Sequence, residues 1–160
     1  MILGCKNTII PNDVKKIDRF AFVGCKTLES ITIPNNVTEI ENTAFEECKN
    51  LKNVVLPNGL RYIAHSTFAY CESLESIEIP ASVIYISIFA FYDCSALKNV
   101  TLSKNIPEMD RAAFSGSTNL ETITYLGTKE EWSKEEKTLA FERFIGTLKI
   151  KCTDGEINYK

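Results

Sequence analysis

Along this chain the apolar positions return every 23 residues. Segments starting at Pro11, Pro34, Pro57, Pro80 and Ser103 align without a gap. One column reads Phe22, Phe45, Phe68, Phe91, Phe114, and a second reads Leu28, Leu51, Leu74, Leu97, Leu120. A third reads Cys25, Cys48, Cys71, Cys94 and then Ser117. A fixed period in the range of about 20–50 residues marks a solenoid, in which each repeat buries its apolar face only against its neighbours. Within a repeat the periodicity changes. Leu51 to Leu56 ends in alternation, with Val54 and Leu56 facing one way and Val55 the other, which predicts a strand. Pro57 follows directly, as Pro34 and Pro80 follow the equivalent runs. Proline has no N–H to give to a ladder and suits a strand's end. Ala44, Phe45 and Cys48 fall at i, i+1 and i+4 and predict one helical turn, too short to stand without packing.

Stacking such repeats sets equivalent residues side by side at the parallel-strand spacing of ~4.8 Å. The Phe column then becomes a continuous buried stack, with aliphatic ladders beside it. Five of the nine phenylalanines sit in this column, and we read them as core and not as a ligand cage. The expected organisation is a partial repeat or cap over 1–10, five repeats over 11–125 and a C-terminal cap over 126–160. In the cap, Thr128 and Glu131 have the spacing of a capping box, predicting a helix from about 129 to 137 with Trp132 as the lid of the last coil. Beyond it, 147–152 and 156–159 flank Thr153-Asp154-Gly155, which predicts a hairpin.

The run from Ile33 to Pro57 reads Ile-Pro-x-x-Val-x-x-Ile-x-x-x-Ala-Phe-x-x-Cys-x-x-Leu-x-x-Ile-x-Ile-Pro, with Val54 and Leu56 in the last two aliphatic places. It recurs from Leu56 to Pro80 with Thr67 in place of Ala. This pattern resembles the BspA-like leucine-rich repeat and covers about residues 5–125. The tail, Tyr125 to Trp132 and Lys151 to Ile157, is also similar to the segment that often lies C-terminal to such repeats. The resemblance implies an α/β-type repeat protein: a right-handed leucine-rich-repeat solenoid, its parallel sheet on the concave side, short helical turns and irregular segments opposite. It further implies a surface or secreted protein of bacteria or some protists, with adhesion to host or bacterial proteins as the activity. The fifth repeat departs from the pattern at Ser103, Pro107, Met109 and Ser117, as expected of a last coil beside a cap.

At 160 residues the chain is one domain. Its net charge is −3, with both signs mixed along its length. There is no basic patch for nucleic acid and no apolar run long enough to span a membrane. Met1 to Cys5 lacks the charged start and apolar stretch of a signal peptide. This leaves two expectations. Either the chain is a fragment of a larger secreted or surface protein, or it starts here and stays in the cytoplasm.

Little in the sequence points to catalysis or to a cofactor. Four cysteines in one column form a line of roughly 14 Å at the strand spacing and cannot converge on one tetrahedral metal. No metal or cofactor is expected, and the column reads as free thiols acting as small hydrophobes. Cys5 and Cys152 lie off it. The single histidine, His65, sits among variable positions and reads as a surface residue. The column Glu29, Lys52, Glu75, Lys98, Glu121 alternates in sign and reads as an exposed structural ladder.

Two surfaces remain. The first is the outward face of the expected concave sheet: Ser30, Thr32, Asn53, Val55, Ser76, Glu78, Asn99, Thr101, Thr122 and Thr124. The second is an aromatic patch of Tyr62, Tyr70, Tyr85, Ile88, Phe89 and Tyr92, a site for a partner or for self-association. The sequence reading is therefore a non-enzymatic module. The resemblance implies a protein ligand from host matrix or a bacterial surface, and the concave face is expected ahead of the patch as its site. A structural spacer within a larger surface protein is the runner-up, and a thiol enzyme a distant third.

Overall fold

The computed structural model describes residues 8–134 and 148–159. Each coil contributes two strands. The longer ones are β2 (Ser30–Thr32), β4 (Asn53–Val55), β6 (Ser76–Ile79), β8 (Asn99–Leu102) and β10 (Thr122–Tyr125). The shorter ones are β1 (Lys16–Ile17), β3 (Glu39–Ile40), β5 (Tyr62–Ile63), β7 (Tyr85–Ile86) and β9 (Glu108–Met109). Both sets start 23 residues apart, so the repeat is held in register from coil to coil. β2 pairs with β4, and β6, β8 and β10 pair in turn, all parallel. β4 lies against β6 without a continuous ladder between them. The longer strands line the concave side of the solenoid.

The shorter strands form a second parallel arrangement, β1 with β3 and β5 with β7 and β9. The sequence reading contained one strand per coil. A two-residue strand shows no alternation, so periodicity had nothing to detect. At the C-terminus, β11 (Leu148–Cys152) pairs parallel with β10, and β12 (Gly155–Tyr159) folds back antiparallel on β11. The concave sheet thus gains two further strands.

The core lies between the sheets and the turns opposite. Phe22, Phe45, Phe68, Phe91 and Phe114 are all buried and stack face to face, with ring centroids 4.8, 5.3, 5.5 and 5.0 Å apart and planes within 10°. The leucine column is buried beside them. Cys48, Cys71 and Cys94 each donate their thiol to the carbonyl of Phe22, Phe45 and Phe68 at 3.1, 3.3 and 3.1 Å. Ser117 repeats this contact to Phe91 at 2.8 Å, which explains how a hydroxyl stands in the thiol column. Thr67, in the alanine column, bonds its hydroxyl to Ala64 O at 2.8 Å. These buried polar atoms are therefore satisfied.

The segment opposite the strands, 42–47 in the second coil, is a run of turns. Its internal bonds run from residue i to i−3, as from Ala44 N to Glu41 O and from Glu46 N to Thr43 O. Left-handed residues break it at Thr43 (φ 59°) and Glu47 (φ 58°), so it is tighter and more irregular than a turn of α-helix. The same two columns are left-handed in successive coils: Phe20, Thr43, Ser66 and Phe89 in one, Gly24, Glu47, Tyr70, Asp93 and Gly116 in the other. The alternation aims every second N–H at the next coil. Phe45 N reaches Thr67 O at 2.9 Å, and Glu47 N reaches Ala69 O at 2.8 Å. Phe68 N reaches Ala90 O at 2.9 Å, and Tyr70 N reaches Tyr92 O at 2.7 Å. A third hydrogen-bonded ladder results, and it offsets a strain of roughly 1–2 kcal/mol for each non-glycine residue held in the left-handed region.

The cap starts at Thr128. Its N–H donates to Glu131 Oε2 at 2.7 Å and its hydroxyl accepts from Glu131 N at 3.2 Å, a reciprocal capping box. The helix α1 spans Lys129–Lys134; the expected extension to 137 lies outside the described residues, as do Cys5 and most of the partial repeat at 1–10. Trp132 is buried with its ring 5.2 Å from that of Tyr125. The hairpin turns through Thr153 and Asp154, with Gly155 at φ 134°.

Candidate protein-binding surface

Alternation along the longer strands sends one residue into the core and the next into solvent. Ile31, Val54, Ile77, Val100 and Ile123 are buried, and their flanking residues form two outward rows. One row runs Ser30, Asn53, Ser76, Asn99, Thr122; the other runs Thr32, Val55, Glu78, Thr101, Thr124. All ten predicted positions thus lie on one face. Thr32, Asn53, Val55, Ser76 and Glu78 are exposed, and the other five are half-buried. Part of that difference is hydrogen bonding: Thr124 Oγ1 donates to Asn99 Oδ1 at 2.9 Å, and Asn99 Nδ2 donates to Thr101 Oγ1 at 3.2 Å. The open half of the face is the N-terminal half. Where β4 and β6 meet without a continuous ladder, Val55, Leu56, Asn58, Glu78 and Pro80 line a depression of about 150 Å³. Val55 is 56% exposed at its edge.

Two residues of this face were missing from the sequence reading. β11 carries Lys149 opposite Thr122 and Lys151 opposite Thr124. The rows therefore end in two lysines, Lys149 being paired with Glu156 at 3.1 Å. Periodicity did signal a strand at 147–152. Nothing in the sequence indicated that it would join the concave sheet.

The aromatic patch does not form one body of ring contacts. Tyr62 and Tyr85 are partners on β5 and β7, outside the concave sheet, Tyr62 being 57% exposed. Tyr70, Phe89 and Tyr92 lie on the turns. Tyr92 packs edge-on against Tyr70 at 5.3 Å and against Phe89 at 5.1 Å. His65 is half-buried, not a free surface residue; its ring is 6.0 Å from Phe89 and its Nε2 is 3.3 Å from Ser66 Oγ. Burial pushes the Tyr70 phenol above its usual range, and Tyr92, Asp93, Glu46 and Glu47 add to the effect.

The thiols give no sign of activation. Burial pushes Cys48 and Cys94 up to about 12 and Cys71 well above the usual thiol range, whereas a nucleophilic cysteine needs a lowered value. Cys25 is only half-buried, unlike the rest of its column. Among the described residues no group of three His, Cys, Asp or Glu is placed to hold a metal ion. No helix there is long and apolar enough to cross a membrane.

The model of the BspA type leucine-rich repeat region matches residues 3–121 in six copies. The chain belongs to the BspA-type leucine-rich repeat family. A leucine-rich cell surface protein from Faecalibacterium prausnitzii is 32% identical, with a TM-score of 0.75 over 79% of this chain and 34% of that one. A leucine-rich repeat protein of T. pallidum is 28% identical, with a TM-score of 0.70 over 75% and 58%. One from Bacteroides capillosus is 27% identical, with a TM-score of 0.53 over 78% and 79%. The chain thus spans about a third of the first of these structures and somewhat over half of the second. No curated protein matches it. The BspA-type family suggests a protein-interaction repeat module, and its members are typically non-enzymatic.

Proposed function

We propose that this chain is a non-enzymatic protein-binding module that works in adhesion at a bacterial cell surface, and that its concave face is the recognition surface. The observation that carries the reading is the outward rows of the longer strands. They form a broad polar face on which Thr32, Asn53, Val55, Ser76 and Glu78, all in its N-terminal half, are exposed. Hydroxyls, amides and the Glu78 carboxylate there can pair with the polar groups of a protein ligand, and Val55 with its depression offers a small apolar anchor. Curvature gathers residues from several coils onto one surface. The division into a partial repeat at 1–10, five repeats over 11–125 and a cap over 126–160 belongs to the same proposal. The ligand class is host matrix or bacterial surface protein, and the likeness to a cell-surface protein supports an extracellular setting.

The test is capture. Beads carrying the chain are exposed to immobilised host matrix proteins and to bacterial surface extracts. The expected result is saturable retention, competed by the free chain. Absence of retention on every surface would replace adhesion with the role of a spacer between other parts of a larger protein.

A further inference from the structure

On the turn side the second to fourth coils differ from the outer two. The left-handed column holds Gly24 and Gly116 at its ends, but Glu47, Tyr70 and Asp93 between them. Glycine adopts this backbone without strain. The three side chains stand in register, because the N–H groups of Glu47, Tyr70 and Asp93 reach across to Ala69, Tyr92 and Ser115 carbonyls at 2.8, 2.7 and 2.8 Å. The column beside it adds Glu46 and Tyr92. Tyr70 and Tyr92 are set edge to ring, with Phe89 against Tyr92, and Tyr70 is flanked by carboxylates of the second coil, Glu46 and Glu47, and of the fourth, Asp93. Lys49 also lies here, already paired with Glu72 at 2.7 Å.

The fold itself shows what such a ring takes. In the first coil, Phe20 occupies the place of Phe89 and carries the guanidinium of Arg19, 4.6 Å from its centroid. At Phe89 the preceding residue is Ile88, so that cation is missing from the fourth coil. An aromatic face attracts a cation through its quadrupole, and adjacent carboxylates add Coulomb attraction. We propose that the turn edge of the second to fourth coils is a second docking surface, on which the rings of Tyr70, Phe89 and Tyr92 and the carboxylates of Glu46, Glu47 and Asp93 receive an arginine- or lysine-bearing segment of a partner protein. It is separate from the concave face, so either proposal can fail alone.

The test uses the whole chain and a labelled oligoarginine peptide, with oligoglutamine of the same length as control. The expected result is binding of the first only, with the ring-proton resonances of Tyr70 and Tyr92 shifting during titration. Tyr70→Ser with Tyr92→Ser keeps every charge and weakens binding about fivefold or more. Glu47→Gln with Asp93→Asn weakens it at low salt and by a smaller factor at high salt; asparagine tolerates the left-handed backbone. If the serine variant fails to fold, the ring resonances of the unmodified protein decide, and unmoved Tyr70 and Tyr92 signals overturn the proposal. So does binding that survives loss of both rings and follows charge alone. Absence of oligoarginine binding also overturns it, including the case in which the chain adheres only to phosphatidylcholine vesicles, a membrane and not a protein partner.

Discussion

Each buried thiol of the cysteine column does two jobs: it fills a small apolar space and bonds a phenylalanine carbonyl one coil away. Cys48, Cys71 and Cys94 should therefore react with a thiol reagent only on denaturation. Cys25 and Cys152, both half-buried, should label earlier in a time course counted by mass spectrometry. A pH effect comes with a definite sign. Folding raises these thiols from an ordinary 9.0 to about 12 for Cys48 and Cys94. The unfolded chain thus loses its thiol protons first, and the stability due to them is full below about pH 9 and falls between 9 and 12. The triple change Cys48→Ser, Cys71→Ser, Cys94→Ser should flatten that part of a melting curve series. Ser117 already shows that a hydroxyl fits. An unchanged alkaline slope would contradict the account.

Among the elements, the phenylalanine stack and the cap make contrasting demands. Phe68 has a ring above and a ring below, and Phe68→Ala should cost about 3–5 kcal/mol in denaturant unfolding. At the cap a Cβ on Gly127 would overlap the Tyr125 ring, which is fixed by Trp132 and by its hydroxyl bond to Lys104 O at 3.2 Å. Gly127→Ala should lower stability by roughly 1–3 kcal/mol, whereas a near-neutral melt would show that the ring can move aside. The stack was legible because its side chains recur in one column, and the capping box because Thr128 and Glu131 stand at the spacing it requires. The two-residue strands were not, having no period of their own. The left-handed columns were not legible, since Glu47, Tyr70 and Asp93 adopt the backbone of Gly24 and Gly116 because the inter-coil bond of each N–H outweighs local preference. The aromatic patch was legible as composition but not as two groups, since that division depends on which residues leave the short strands for the turns.

For the whole molecule, repetition separates stability from recognition. Inward columns are nearly invariant from coil to coil, so the core propagates regardless of what the outward rows carry. Those rows vary freely: Thr32, Val55, Glu78, Thr101 and Thr124 succeed one another at one place. A surface built in this way can be altered for recognition at little cost, and surface changes usually alter stability by less than about 0.5 kcal/mol each. The most direct test of the central claim is paired binding and melting of a variant with Thr32→Lys, Asn53→Lys and Ser76→Lys, with alanine changes at the same places as controls for charge repulsion. All three residues are exposed on the open half of the face. The account predicts that the lysine variant melts close to the unmodified chain and is no longer retained on the surface that captures it. Full retention by that variant, folded and stable, would contradict recognition by the concave face.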